Sequence, residues 1–165
     1  MRGLLDRTDL RILEILQEDG RRPYAAIARQ LGLAEATVRH RVERLVRRGL
    51  VQIVAAADPL QLGLQLAEMG IRVRGRIEET VEALRRVPEI DYIAVCTGSF
   101  DLLIEVVFVD HDHLLRLLSE HVREAPGVDQ VEVFTILRVA KDSYRYSSFA
   151  LAPLGREPRA RALYS

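Results

Sequence analysis

Beyond residue 60, the spacing of apolar residues alternates between that of a strand and that of a helix. Strand-like runs cover residues 66–75, 90–98, 101–109 and 128–141. Helix-like runs at 77–87 and 111–125 separate them, the first with Ile77, Val81 and Leu84 on one side. The resulting order, β-α-β-β-α-β, is that of ferredoxin-like domains. We therefore predict an α+β chain with a ferredoxin-like βαββαβ domain over residues 61–145.

Residues 1–60 follow a different pattern, with three short helical runs. Asp6 is placed to cap the first, with Asp9 three residues later, and Gly20 to end it; the second is "YAAIARQL" at 24–31. The third runs from about Ala34 to Arg48, before Gly49. Its predicted inward residues are Val38, Val42, Leu45 and Val46. Two helices joined by a short glycine-containing turn after a support helix form a helix-turn-helix, and we predict such a domain, of winged type, over residues 1–60.

Positive charge is concentrated on the third helix. Residues 1–60 hold 11 arginines against 8 acids, a net +3 that the remaining residues offset within a chain of net charge zero. Five arginines and one acid, Glu43, lie between Arg39 and Arg48. In a helix-turn-helix the later helix enters the major groove, so this cationic face favours duplex DNA over a merely solvated surface. The predicted DNA-binding residues are Tyr24, Thr37, Arg39, His40, Arg41, Arg44, Arg47 and Arg48.

These positions are not equivalent. Thr37, Arg39, His40 and Arg44 are the preferred contacts, because the N-terminal half of a recognition helix usually reaches the base edges. Arg41 sits beside the inward side, where a structural role is the alternative. For His40 alone, DNA contact and a solvated position have similar weight.

The run "LVQIVAAADP" that follows the third helix is predicted to be a short strand ending at Asp58-Pro59. In the second domain, the strand 101–109 is apolar on both faces apart from Glu105. Two helices can cover one face of a four-stranded sheet, so we expect the other face to meet another subunit in a dimer at least. Residues 146–165 are expected to be an extended tail, to which we assign no chemistry.

Several classes of protein are disfavoured. The apolar runs fall short of the ~20 residues that a membrane-spanning helix needs, and the N-terminus lacks the pattern of a secretory signal, so we expect a cytoplasmic protein. The single cysteine, Cys96, is predicted to be a buried strand residue rather than a nucleophile. His111, His113 and His121 do not have the i, i+4 spacing typical of helical metal ligands. We predict no metal and no cofactor.

The segments "LDRTDLRILEILQEDGRRPYAAIARQLGLAEATVRHRVERLVRRGLVQ", "ADP" and "GSFDLLIEV" together resemble the Lrp/AsnC, or feast/famine, family of regulators over residues 4–142. The resemblance implies a DNA-binding domain, a ligand-sensing and oligomerising domain, dimers that assemble further up to octamers, and transcriptional control by small molecules such as amino acids. Ala34 stands where the family usually has Ser or Thr, and Ala25 near a position where an acid is common. The missing cap hydroxyl predicts a frayed or otherwise capped helix start.

By the same resemblance, the "GSFD" loop is where an amino-acid effector binds between subunits. Backbone N–H groups there could receive the effector's carboxylate, and Asp101 could face its ammonium. A hairpin turn without a ligand is the alternative interpretation of Gly98 and Asp101. The predicted effector-binding residues are Thr97, Gly98, Ser99, Phe100, Asp101 and Thr135.

Two other functions compete with that of a regulator. Proteins of related two-domain design decarboxylate sirohaem-type tetrapyrroles with histidines near the macrocycle, but "CTGSFD" stands here in place of a histidine-bearing motif. An architectural protein that covers DNA with little specificity is the second alternative. The regulator hypothesis depends on the cationic side of residues 37–48 facing outward.

Overall fold

The computed structural model describes residues 5–143 and residue 146. Within it the chain divides into two compact units: the second is Ala56–Ala140, and the first contains the residues up to Ala55 together with those from Lys141. The division at Ala56 falls a few residues before the predicted boundary. The predicted tail, residues 146–165, lies outside the described residues apart from Tyr146. The elements are α1 (Arg7–Glu18), α2 (Tyr24–Leu31), α3 (Glu35–Arg47), β1 (Gln65–Val73), α4 (Ile77–Leu84), β2 (Ile90–Val95), β3 (Leu102–Phe108), α5 (His111–Arg116) and β4 (Val128–Thr135).

The first unit is built on α1, α2 and α3, as predicted. Asp6 caps α1 in a reciprocal arrangement: its side chain accepts from the Asp9 N–H at 2.8 Å, while the Asp9 carboxylate accepts from the Asp6 N–H at 3.1 Å. The helix ends at Glu18 with Asp19 as its C-cap, slightly before Gly20. The apolar faces of the three helices meet in a small core whose members include Ile12, Ile27, Val38 and Val42.

The turn between α2 and α3 depends on Gly32, which adopts φ 67° at the end of α2. This left-handed conformation is strained for residues with a side chain, and it redirects the chain into α3. Val38, Val42 and Leu45 of α3 are buried as predicted. Val46 is 44% exposed, and its predicted inward position is wrong, because it lies about 100° around the helix from Leu45.

The predicted strand between the two units is not formed. Residues 51–58 have no strand assignment, and Ile53 and Val54 are 51% and 73% exposed. An extended segment becomes a stable strand only when a neighbour accepts its backbone hydrogen bonds. No strand in the described part of the chain pairs with residues 51–58. The apolar residues of this segment alone were therefore not enough to predict a strand.

The second unit contains one antiparallel sheet with strand order β2-β3-β1-β4. Together with α4 and α5 it has the predicted β-α-β-β-α-β order. The register places Glu68 of β1 opposite Glu105 of β3 and opposite Phe134 of β4. A bulge between Ile90 and Tyr92 puts Asp91 at an irregular position in β2. The second predicted helix is shorter as an α-helix, because α5 continues as a π-helical segment, Leu117–Val122.

The helices cover one face of the sheet. Met69, Ile71 and Ile104 from the strands are fully buried with Leu84 and Leu117 from the helical side. Side chains alternate between faces along a strand, so Glu68, Leu103, Glu105 and Phe134 belong to the other face, which we call the open face. Leu103 is 36% exposed there, Phe134 43% and Tyr92 56%. Coverage of this face by another subunit therefore stays a prediction.

Candidate functional site

The start of α3 lacks a side-chain cap. Ala34 occupies the N-cap position without a side-chain hydrogen bond, and its carbonyl accepts from the N–H groups of Thr37 and Val38 at 3.0 and 3.3 Å. Glu35 in the first turn adds a negative charge near the positive end of the helix dipole. The helix therefore begins at the position expected for the family without the usual hydroxyl.

A buried carboxylate joins α1 to α3. Asp9 is 1% exposed, and its Oδ1 accepts from Arg41 Nη1 at 2.8 Å. Arg44 Nη2 donates to both carboxylate oxygens of Asp9, each at 2.7 Å. Arg41 Nη1 also reaches Asp6 Oδ2 at 2.6 Å. We call these four residues the α1–α3 ion network.

The network shifts proton affinities in the directions expected for ion pairs. Partial burial acts to raise the pKa of Asp6, but hydrogen bonds from Arg41 and from the backbone of Asp9 outweigh it and hold the pKa below its ordinary value. Hydrogen bonds to Asp6 and Asp9 raise the pKa of Arg41 above its ordinary value. Both groups are therefore charged at neutral pH.

The network divides the predicted DNA-binding arginines into two groups. Arg41 and Arg44 face the carboxylates of α1, which matches the structural alternative for Arg41 and gives Arg44 a partner that its spacing did not indicate. Arg44 Nε is also buried, and it has no hydrogen-bond partner among the described residues. Arg39, Arg47 and Arg48 are exposed and lie outside this network.

Arg39 has a different environment. Its Nη2 donates to Glu35 Oε1 at 2.9 Å, one turn earlier on α3. Its guanidinium carbon lies 5.4 Å from the centroid of the Tyr24 ring, at the start of α2. This brings two of the predicted residues, Tyr24 and Arg39, together across the helix-turn-helix. Thr37 and His40 are exposed, and they line a groove of about 400 Å³ with Ala36, Arg41 and Arg44.

The predicted effector loop is held mainly by backbone contacts. Gly98 adopts φ 123°, and on either side of the loop the Cys96 N–H donates to the Asp101 carbonyl at 2.9 Å. The Asp101 N–H donates to the Ile71 carbonyl at 2.9 Å, and Asp101 Oδ2 accepts from the Val73 N–H at 2.9 Å. One oxygen of the carboxylate expected to face an ammonium therefore stabilises the bulge at the end of β1.

Phe100 places its ring over the open face. A Cβ added to Gly70 would lie 2.5 Å from the Phe100 ring, so any larger residue there would have to displace the ring. The ring also makes an edge contact with Phe134, at 6.4 Å between centroids and 74° between planes. Thr97, Gly98 and Ser99 are exposed.

The structure does not bring Thr135 to this loop within the chain. Thr135 pairs with Ala67 on β1, four residues from Ile71, and faces the side opposite to Phe134. Cys96 is not a strand residue: it follows β2, is half-buried, and its Sγ donates to the Phe100 carbonyl at 3.2 Å. The strand ends because the chain turns at Gly98.

Three carboxylates on the open face form a cluster that the sequence did not reveal. Burial, with the nearby charges of Asp91 and Glu68, raises the pKa of Glu105 to about 7. The only sequence signal was that Glu105 interrupts an apolar strand. We call Glu68, Asp91 and Glu105 the acidic cluster.

His113, one of the three histidines considered as metal ligands, lies next to a carboxylate. His113 Nε2 lies 3.4 Å from Glu89 Oε1, and residues 5–143 contain no group of three or more potential ligands arranged to hold a metal ion. None of the described helices has both the length and the apolar character needed to cross a bilayer.

Comparison with known proteins agrees with this architecture. The chain matches the AsnC-type helix-turn-helix domain over residues 5–46 and the Lrp/AsnC ligand binding domain over residues 67–146. It is 34% identical over 142 residues to the HTH-type transcriptional regulator Ptr1 of Methanocaldococcus jannaschii, covering 84% of this chain and 96% of that protein. It is also 34% identical to the HTH-type transcriptional regulator FL11 of Pyrococcus furiosus, covering 87% and 96% of the two chains.

Among solved structures, a transcriptional regulator of Neisseria meningitidis in complex with L-Met is similar, with a TM-score of 0.78 and 25% identity over 91% of this chain and 99% of that one. The matches to both domains cover most of the sequence in the observed order. The chain belongs to the Lrp/AsnC family of transcriptional regulators and consists of a helix-turn-helix domain followed by a ligand-binding domain.

Proposed function

We propose that the protein is a sequence-specific DNA-binding regulator that responds to a small-molecule effector, and that this effector is an amino acid. The DNA-binding part of this proposal rests on the arrangement of α3. Its apolar side is buried, Arg41 and Arg44 are tied to α1, and Arg39, Arg47 and Arg48 remain exposed with Thr37 and His40. A helix that is supported on its apolar side and carries exposed donors along its length suits the major groove.

A gel-shift titration against genomic fragments at several salt concentrations tests this half. A regulator should retain some fragments at concentrations that leave competitor DNA free, and its affinity should fall as salt rises. Binding without sequence preference would support the architectural alternative instead. Absence of both preference and salt dependence would remove DNA binding from the proposal.

The effector half rests on the ligand-binding domain match and on the similar structure that contains L-Met. The loop offers exposed backbone at Thr97, Gly98 and Ser99, next to the Asp101 carboxylate. A thermal-shift screen of the twenty amino acids tests it, because a ligand present at 100 times its Kd stabilises the folded state by about 2.7 kcal/mol.

The informative variant is Asp101→Asn. The amide oxygen can still accept from the Val73 N–H, whereas the charge that would face an ammonium is gone. We expect this variant to melt close to the parent and to lose the ligand-induced shift. A parent protein that responds to no amino acid would contradict the amino-acid assignment.

We further propose that the protein is a homo-oligomer, a dimer or an assembly of dimers up to an octamer, formed through the open face. Tyr92, Leu103 and Phe134 give this face exposed apolar area next to the ring of Phe100. Light scattering after size exclusion measures the mass. A Leu103→Asp variant should be smaller than the parent, and a parent of 18.7 kDa in solution would contradict the proposal.

A further inference from the structure

We infer that Arg39 determines specificity by selecting a guanine in each half-site, and that Glu35 and Tyr24 are the positioning residues that prepare it for this contact. The inference rests on the proposed DNA-binding function and deepens it by naming a base. Arginine is the side chain that most often reads guanine, because two parallel N–H groups match the O6 and N7 acceptors in the major groove.

The arginines of α3 differ in their surroundings. Arg39 is the fifth residue of the helix and lies in the half that reaches base edges in helix-turn-helix proteins. Arg41 and Arg44 donate to Asp9 and Asp6 instead. Arg47 ends the helix and Arg48 is its C-cap, where contacts to the phosphate backbone are expected.

Two neighbouring residues hold the side chain of Arg39. Glu35 contacts Nη2 from the same helix, at 2.9 Å, and the Tyr24 ring faces the guanidinium from α2, at 5.4 Å. The side chain nevertheless keeps 54% of its surface exposed. Two contacts restrict the rotamers of a long side chain before DNA arrives, which reduces the entropy lost on binding.

Arg39 keeps hydrogen-bond donors for a base. A guanidinium has five N–H donors, and in the described part of the chain the hydrogen bond of Arg39 uses one of those on Nη2. Nη1 and the second hydrogen of Nη2 can therefore still form the parallel pair that guanine requires. The Glu35 contact leaves base recognition by Arg39 geometrically available.

The charge of Glu35 also affects what Arg39 can bind. A phosphate contact depends on net positive charge and on the release of counterions. The carboxylate of Glu35 offsets the charge of Arg39 locally and repels a phosphate, whereas the acceptor edge of a guanine is neutral. Glu35 therefore biases Arg39 toward a base and away from the backbone.

The experiment selects binding sites from a randomised duplex library with four proteins: the parent, Arg39→Lys, Glu35→Gln and the control Arg85→Lys. Arg85 is an exposed residue following α4 in the other domain. Each is then titrated against the best site and its single-base variants at several salt concentrations. Far-UV circular dichroism melting verifies that the variants fold.

For Arg39→Lys we expect the guanine preference at one position per half-site to fall about 5-fold, because a lysine ammonium lacks the planar fork that matches guanine. The preferences elsewhere and the salt slope should be unchanged. For Glu35→Gln we expect a weaker guanine preference and a salt slope that steepens by about one as Arg39 turns to phosphate. Arg85→Lys should match the parent in both measurements.

The outcomes separate the inference from the proposed function. A parent that selects defined sites, together with an Arg39→Lys variant that selects the same sites equally well, overturns the inference and leaves the function intact. Loss of preference for a base other than guanine overturns the guanine assignment. A parent that selects no sequence overturns both.

A second pair of variants tests the role of Tyr24 without altering any charge. Tyr24→Phe keeps the ring under the guanidinium, and Tyr24→Leu removes it. We expect the first to retain the guanine preference and the second to lose part of it. Equal preference in the two variants would overturn the positioning role of the ring.

Discussion

Arg44 and Asp9 join the support helix α1 to the recognition helix α3: Nη2 of Arg44 lies 2.7 Å from both carboxylate oxygens of Asp9. The two residues are 35 positions apart in sequence, and the Asp9 side chain is 1% exposed. A buried charge is stable only when its partners are present. The orientation of α3 relative to α1 therefore depends on this contact as well as on the apolar core.

Replacing Asp9 by Asn should destabilise the helix-turn-helix domain by about 1–3 kcal/mol, because Arg44 would lose the carboxylate of Asp9 and Arg41 would lose one of its two carboxylate partners. Urea unfolding followed by far-UV circular dichroism measures the change. The control is Glu43→Gln, an exposed acid on α3, which should change stability by no more than about 0.5 kcal/mol. Equal stability of the two variants would show that the ion network contributes nothing.

The acidic cluster should make stability depend on pH. The pKa of Glu105 rises from 4.5 to about 7 on folding, so the folded chain binds more protons than the unfolded chain between these values. Stability should therefore fall as pH rises from about 4.5 to 7 and then level off. Because the cluster is partly exposed, solvent screening reduces the effect to the order of 1 kcal/mol.

Glu105→Gln should remove this dependence and should be more stable than the parent at pH 8, measured by urea unfolding at pH 5, 6, 7 and 8. Glu132→Gln is the matched control, since Glu132 is an exposed acid on the same face outside the cluster. A parent whose stability rises steadily from pH 5 to 8 would contradict the sign that we assign to Glu105.

The salt dependence of DNA binding should show whether Arg47 contacts a phosphate. Arg47 is exposed at the end of α3, so Arg47→Ala should weaken binding to all sequences about equally and reduce the salt slope by about 0.9 for each phosphate that is no longer neutralised. Fluorescence anisotropy with labelled duplexes between 50 and 300 mM salt measures this. The control Arg85→Ala, in the other domain, should leave the salt slope unchanged. If Arg47→Ala also had the salt slope of the parent, Arg47 would not contact a phosphate.

Local patterns were sufficient to predict most of the fold. The run 24–31 coincides with α2, because Ile27 and Leu31 are spaced by one turn and Gly32 ends the helix. The order of helices and strands along the second domain was also predicted correctly. The strand at 50–59 was wrong because strand formation requires a pairing partner, and the sequence shows only the propensity of one segment.

The site was less predictable, since side-chain partners come from distant parts of the chain. Arginine density indicated a cationic helix, but only the structure shows that Asp9, 35 residues away, holds Arg44. In the same way, "GSFD" indicated a carboxylate for a ligand, whereas Asp101 accepts from Val73, 28 residues before it. Charge and motif predict which residues are chemically capable; packing determines which of them remain available.

The contact between Gly70 and Phe100 gives the most direct test of how the loop is held on the sheet. Gly70→Ala would place a Cβ 2.5 Å from the ring, so the ring has to move, at an expected loss of about 1–3 kcal/mol. Phe100→Ala removes the obstacle together with the edge contact to Phe134. In the Phe100→Ala background, Gly70→Ala should lower the free energy of unfolding little further, because there is no ring for the added methyl group to displace. Urea unfolding of the four proteins gives the coupling energy, and additive losses would mean that the ring does not lie over Gly70 in solution.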